Sequence, residues 1–235
     1  MGRRPGGELA TRPLHFIWIA DCSGSMRNNG KIQSLNTAIR EAIPHMQTVA
    51  EENPNARVLV QAIKFSDGAQ WHIPDAVPVA DFRWTDLTAD GQTDMGRALS
   101  MVAEQLKIPP MTDRALPPVL VLISDGQPTD DFQRGLKELL AQPWGRKAVR
   151  IAIAIGDDAD LDVLQSVIGN TESHPLQANN PEARVRQIRW VSTAVLQAAS
   201  APASQTTINL AEGVNVPLPA LPAPPTEAQK ADDVW

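Results

Sequence analysis

Five side chains that offer only oxygen stand where three loops should meet. Asp21, Ser23 and Ser25 alternate along Asp21-Cys22-Ser23-Gly24-Ser25, giving one carboxylate and two hydroxyls two residues apart. Thr93 lies in Gly91-Gln92-Thr93-Asp94-Met95-Gly96, and Asp125 in Ser124-Asp125-Gly126. An all-oxygen set suits a hard divalent cation, Mg²⁺ first, with Mn²⁺ or Ca²⁺ as alternatives. Two carboxylates nearly balance the charge of such an ion, while hydroxyls are weak neutral ligands. The ion therefore stays electrophilic, with room for an acidic oxygen from outside. Taken singly, each piece has a plainer explanation. Asp-x-Ser-x-Ser occurs in ordinary turns and caps, Thr93 alone reads as a helix cap, and Asp125-Gly126 alone as a strand-ending turn. The metal reading rests on all three together, in order and in matching contexts.

Those contexts are strands and helices. Residues 14–20 form an apolar, β-favouring run ending at Asp21, and residues 119–123 form another ending at Ser124-Asp125. Residues 31 to about 52 are predicted helical, with Ile32, Leu35, Ile39, Ile43 and Met46 on one face. Pro44 is expected to kink or locally break that helix. Residues 57–65 read as the second strand. Residues 69–73 pair back as a short antiparallel edge strand across the Ser66-Asp67-Gly68 turn. Residues 74–94 read as a long irregular segment, whose Asp75, Asp81, Asp86 and Asp90 form a solvated rim. Asp94 is expected to be an N-cap or a partner supporting the site. Helices are predicted over 95–106 and after Thr129, which is expected to cap a first turn holding Asp130 and Asp131. A strand over 149–155, a short helix over 161–168 before Gly169, and a last helix from Asn180-Pro181 to about residue 199 complete the pattern. Alternating strands and helices, with continuously apolar strands, predict a doubly wound, mainly parallel α/β sheet with helices on both faces. Ligands in such sheets bind at the carboxyl ends of the strands, at the topological switch point. Asp21 and Asp125 should share that edge.

The 235 residues are 43% hydrophobic and 20% charged, ordinary for a soluble globular chain. A net charge of −6 without a basic stripe argues against nucleic acid as a partner. No apolar run approaches the roughly 20 residues of a membrane span. The apolar run after Arg3-Arg4 is short for a signal segment and ends in Asp21, so a cytoplasmic protein is expected. Cys22 is the single cysteine, which excludes an internal disulfide, and it reads as a small side chain turned into the core. None of the four histidines shows zinc-ligand spacing. Trp18 and Trp190 fit the core, and core packing is also the better reading for Trp71, Trp84 and Trp144. Residues 1–12 are expected to be a mobile N-terminus and 13–200 the folded domain. Residues 201–235, with six prolines, are expected to be a disordered tail, either dispensable or a docking peptide.

The motifs resemble the metal-ion-dependent adhesion site (MIDAS) of von Willebrand factor A (VWA) domains. Asp21-x-Ser23-x-Ser25, Thr93 and Asp125 match its five ligand positions, and the resemblance covers about residues 12 to 200. It implies a Rossmann-like fold. It also implies direct ligation by the two serines and the threonine, aspartates acting through water, and a Glu or Asp of a partner protein completing the sphere. Asp21 to Met26, Gly91 to Gly96 and Ser124 to Asp130 are most similar to small bacterial cytoplasmic members of the tellurite-resistance type. Such proteins are associated with a Ser/Thr protein kinase and a PP2C-like phosphatase, which implies a signalling or stress-response role. A scaffold subunit of an ATPase- or chelatase-like machine is the alternative, but the sequence holds no ATPase segment. A metal-dependent phosphohydrolase fits less well. Aspartyl phosphatases need a second aspartate where Ser23 stands, no Gly-rich P-loop with its lysine appears, and no base lies in motif reach of the metal. The chain is therefore expected not to be an enzyme.

Overall fold

The computed structural model describes residues 11–53, 55–170 and 172–200. The expectations for residues 1–10 and for the tail 201–235 lie outside these. In chain order the elements are β1 (Arg12–Asp21), a 3₁₀ turn (Gly24–Gly30), α1 (Lys31–Glu52), β2 (Ala56–Ser66) and β3 (Gly68–Pro78). Then come α2 (Met95–Gln105), β4 (Val119–Ser124), α3 (Phe132–Ala141), α4 (Pro143–Lys147), β5 (Val149–Ile155), α5 (Leu161–Ile168) and β6 (Leu176–Ala178). The described residues end with α6 (Pro181–Trp190), a π turn (Val191–Val195) and α7 (Leu196–Ser200).

One six-stranded sheet runs in the order β3-β2-β1-β4-β5-β6. Every pairing is parallel except β2 with β3. The chain builds β2 and β3 on one side of β1, then crosses over to place β4 on the other. The switch point therefore falls between β1 and β4, whose carboxyl ends carry Asp21 and the Ser124-Asp125 turn.

Alternation along the strands divides the core into two layers. Leu14, Phe16, Trp18 and Ala20 face α1, α6 and α7, packing with Leu35, Ile39, Met46, Ile188 and Leu196. Ile17 and Ile19 face the other layer, with Leu99 and Val102 of α2, Leu136 and Leu139 of α3 and Leu164 of α5. Trp18 and Trp190 are buried as expected, as is Trp144 within α4, while Trp71 and Trp84 are half-buried.

Four expectations need correction. Helix α1 runs unbroken through Pro44, which sits on the exposed face, so the carbonyl left without a donor meets water. Strand β3 continues to Pro78 and takes the start of the segment read as irregular, with a register shift where it passes Pro74. Thr129 does not cap α3. Asp131 does, its carboxylate accepting the Arg134 N–H, so Asp130 and Asp131 precede the helix. The last helix is interrupted by the π turn, where the Ser192 and Thr193 hydroxyls donate to the carbonyls of Ile188 and Arg189. Strand β6 and helix α4 are additional short elements.

Candidate metal centre

Each of the five sequence-predicted residues lies on one of three loops at the same edge of the sheet. Asp21 ends β1 and is fully buried. Its Oδ1 accepts the Ser23 N–H at 2.8 Å, an Asx turn that directs the chain away from the strand. Its Oδ2 accepts the Ser124 hydroxyl at 2.5 Å, so the turn before Asp125 is tied to the end of β1. The Ser124 hydroxyl in turn accepts the Gly126 N–H at 2.8 Å. Ser23 and Ser25 point the same way, their hydroxyl oxygens 2.9 Å apart. Cys22 between them is buried, as expected from sequence, and burial pushes its thiol up to about 12.

The second loop is sewn to the first through the backbone. The Gly24 N–H donates to the Gly91 carbonyl at 3.0 Å, and the Asp90 N–H to the Cys22 carbonyl at 2.8 Å. Gly91 has φ +82°, and a Cβ there would sit 2.7 Å from the Asp67 carboxylate, so the position requires glycine. Asp67 is occupied in accepting the Gln92 N–H. Thr93 follows, buried, just before α2.

The third loop is locked to the second in the same manner. The Thr93 N–H donates to the Thr129 hydroxyl, and the Thr129 N–H donates back to the Thr93 carbonyl. Asp130 accepts the Gly96 and Arg97 N–H groups at 2.9 and 2.7 Å, filling the open donors of the α2 N-terminus from another loop. Asp94 occupies the N-cap position of α2 without capping it. Its carboxylate takes the Gly68 N–H and the Thr129 hydroxyl, the supporting role foreseen for it. Asp75, Asp81, Asp86 and Asp90 are exposed, as expected of a rim. Asp86 pairs with Arg40 and Asp90 with Arg27.

Sequence reasoning missed Ser124, Thr129, Asp130 and Asp67. The first three lie inside the Ser124-to-Asp130 motif, so their pattern was visible though their partners were not. Asp67 carries no signal beyond its place in a turn.

The electrostatics call for a positive charge. Burial pushes the Asp21 carboxyl up to about 6, against the pull of the Ser124 and Ser23 hydrogen bonds, and the charge of Asp125 adds to the rise. Asp125 is 1% exposed, and its Oδ1 has no hydrogen-bond partner among the described residues. A buried carboxylate oxygen left unpartnered is costly unless a cation or water meets it. The all-oxygen donor set fits a hard divalent cation. Among the described residues no group of three or more His, Cys, Asp and Glu side chains is poised to hold a metal, so the hydroxyls are integral to this reading.

Comparison with known proteins agrees with this architecture. Residues 16–127 match the family model of the von Willebrand factor type A domain. No curated protein sequence matches the chain. Among solved structures, a von Willebrand factor type A protein from Catenulispora acidiphila is 17% identical with a TM-score of 0.59, over 79% of this chain and 43% of that one. The ArnB paralog VWA2 from Sulfolobus acidocaldarius is 16% identical with a TM-score of 0.56, over 76% and 45%. Proximal thread matrix protein 1 from the mussel byssus, in a form with a zinc-occupied MIDAS motif, is 18% identical with a TM-score of 0.57, over 83% and 49%. The chain thus spans less than half the length of each of these three. Residues 16–127 are thus similar in sequence to the von Willebrand factor type A domain, and the chain shares the Rossmann-like α/β fold of these structures.

Proposed function

We propose that this protein is a non-catalytic, metal-dependent binding module of the MIDAS type. Asp21, Ser23, Ser25, Thr93 and Asp125 hold a divalent cation, Mg²⁺ in the first instance, and a Glu or Asp side chain of a protein partner completes its coordination. The bound ion supplies a Lewis-acidic point of attachment for a carboxylate. The chain's own residues do the rest: the paired carboxylates offset the ionic charge, the hydroxyls leave the ion electrophilic, and the backbone stitches hold the three loops at a fixed spacing. The observation that carries this reading is the unpartnered, buried Asp125 Oδ1 beside the buried Asp21 carboxyl. The zinc in the mussel protein's MIDAS supports it, as a metal on the same fold. The motif wording favours a cytoplasmic setting, with a Ser/Thr kinase and a PP2C-like phosphatase as the first partners to test.

Affinity capture with wild type and Asp21→Ala, each in Mg²⁺ or EDTA, tests the proposal. The functional partners are those lost both on chelation and on substitution. Capture unchanged by EDTA sinks the reading. Calorimetric titration of Mg²⁺ into wild type and Asp125→Ala separates failure to bind metal from failure to bind the partner.

A further inference from the structure

Helices α1 and α6 pack together in one core layer, and a groove stays open along the flank of that contact. An open groove of about 790 Å³ lies between the start of α1 (Gln33, Thr37) and the length of α6 and the π turn (Val185, Arg186, Trp190, Thr193). Its walls are largely carbon: Pro181, Val185, the Trp190 ring and the aliphatic stems of Gln33, Arg186 and Arg189. Arg186 and Arg189 line it against one acid, Glu182. Arg184 lies buried, donating to the Ser34 hydroxyl, with the charge of Glu182 acting on it.

We propose that this groove is the docking site for the chain's own proline-rich segment, with residues 217–222 (Pro-Leu-Pro-Ala-Leu-Pro) seated in it. Three observations select this occupant. The first is continuity. The segment leaves the described structure at Ser200, which ends the rod formed by α6, the π turn and α7, and Ser200 is held to Asn53 at the other end of α1. A strand of chain turning back there runs along the α1–α6 seam. The second is length. The groove follows α6 and the π turn from Pro181 to Thr193, about 20 Å at 1.5 Å per residue. Six residues of polyproline II at about 3.1 Å each cover about the same span. Residues 201–213 form the return linker, whose end-to-end distance as a flexible chain is about 20 Å, enough to pass back from Ser200 to the groove. Tethering at that length raises the effective concentration to about the millimolar range. The third is complementarity. Residues 213–226 carry no charge and are rich in Pro, Leu and Val, matching a carbon-walled groove. The flanks carry Glu212, Glu227, Asp232 and Asp233 against Lys230, a formal −3 over residues 201–235, facing walls that are net positive. A polyproline II strip on an aromatic- and arginine-lined surface is an established recognition mode that loses little conformational entropy. This docking does not depend on a cation at the Asp21–Asp125 site.

The test uses the full chain. Leu221→Cys, labelled with a nitroxide, places a paramagnetic probe on the segment, and Cys22, 2% exposed, does not compete for the label. Isotope-labelled protein should lose at least half the amide intensity of residues 33–37 and 185–193 relative to the same sample with the label reduced. Signals from α2 and α3, on the other face of the sheet, should be unaffected. Full intensity in the groove, or uniform loss everywhere, overturns the proposal. A mixture of isotope-labelled chain without the probe and unlabelled chain with it distinguishes copies. Equal broadening there means a second molecule fills the groove, and intramolecular docking is wrong. Val185→Asp should abolish the groove-specific broadening. Should that variant unfold, Leu218→Asp in the segment, combined with the same label, serves instead, because it leaves the folded domain untouched.

Discussion

Replacing Asp21 with Asn in metal-free protein should stabilise it at neutral pH. Burial raises the Asp21 carboxyl from 3.8 to about 6 in the folded protein. The sign follows from which state holds the proton. Below about pH 4 both folded and unfolded chains carry the neutral acid, and no cost arises. Between about 4 and 6 the unfolded chain releases the proton while the folded chain keeps it, so rising pH favours unfolding. Above 6 the folded carboxylate is ionised in an apolar setting, and the whole cost remains. At about 1.4 kcal/mol per pH unit of displacement, that cost is about 3 kcal/mol at pH 7 and about 1 kcal/mol at pH 4.5. Asn keeps the shape, its oxygen can accept the Ser23 N–H, and its amide can donate to Ser124 Oγ, which already accepts from Gly126. Urea titrations in EDTA should therefore show Asp21→Asn more stable than wild type by up to about 3 kcal/mol at pH 7, with the gap closing to about 1 kcal/mol at pH 4.5. For a domain of this size the pH 7 gap is a melting shift of roughly 6 to 12 °C. Mg²⁺ at about 1,000 times the dissociation constant should reverse the order, since the wild type then gains about 4.1 kcal/mol that the variant lacks, more than the gap of about 3 kcal/mol. A variant no more stable than wild type at pH 7 in EDTA refutes the claim that an uncompensated buried charge sits at this position.

Other perturbations have equally definite outcomes. Ser124→Ala removes the donor to Asp21 and the acceptor of the Gly126 N–H, so calorimetry should show Mg²⁺ affinity falling about tenfold or more, with about 1 to 3 kcal/mol of stability lost in denaturant titration. Asp130→Asn removes both the charge facing the α2 N-terminus and one of the two acceptors there, and thermal unfolding should record a loss of about 1 to 3 kcal/mol, of which the charge-dependent part shrinks at high salt. Gly135→Ala drives a Cβ into the Gly96 carbonyl where α3 crosses α2, so chemical denaturation should register a loss of about 1 to 3 kcal/mol. Cys22 should resist thiol reagents in native protein and react only as fast as the chain unfolds, measured by the release of the reagent's chromophore.

The strands were legible because their cores are continuous apolar runs, and periodicity reports burial directly. The run read over 57–65 became Ala56–Ser66, and that over 149–155 became Val149–Ile155. The extension of β3 was not legible, because Pro74 and Asp75 read as loop and pairing with β2 resumes only beyond them, at Val77 and Pro78. Pro44 misled for a related reason. The cost of a proline depends on whether the carbonyl it abandons can reach water, and that is set by which helix face the rest of the protein covers. Strand β6, three residues long, is shorter than any periodic signal. At the candidate site, the oxygen-bearing residues and their shared edge were visible in the chain. The bonds of Thr129 and Asp130 were not, because they join positions more than 30 residues apart and are fixed by how α2 and α3 pack.

The three loops are tied to one another through the main chain. Gly24 to Gly91, Asp90 to Cys22 and Thr129 to Thr93 are joined backbone to backbone, and none of these bonds uses an oxygen proposed as a ligand. The scaffold therefore draws on none of the proposed ligand oxygens, and those of Asp21 and Asp125 are buried together, where a cation would offset their charge. Among the described residues the buried Asp125 Oδ1 has no donor to accept from, and the Asp21 charge is resisted by its surroundings. In a flexible site, part of the binding energy of the ion would go into ordering loops. Here that ordering is already done by main-chain hydrogen bonds, so relief of the trapped charge can appear as affinity for the cation. A side-chain substitution at the ligands then acts on binding, whereas a change at the stitches, such as a larger residue at Gly91, acts on the fold that presents them.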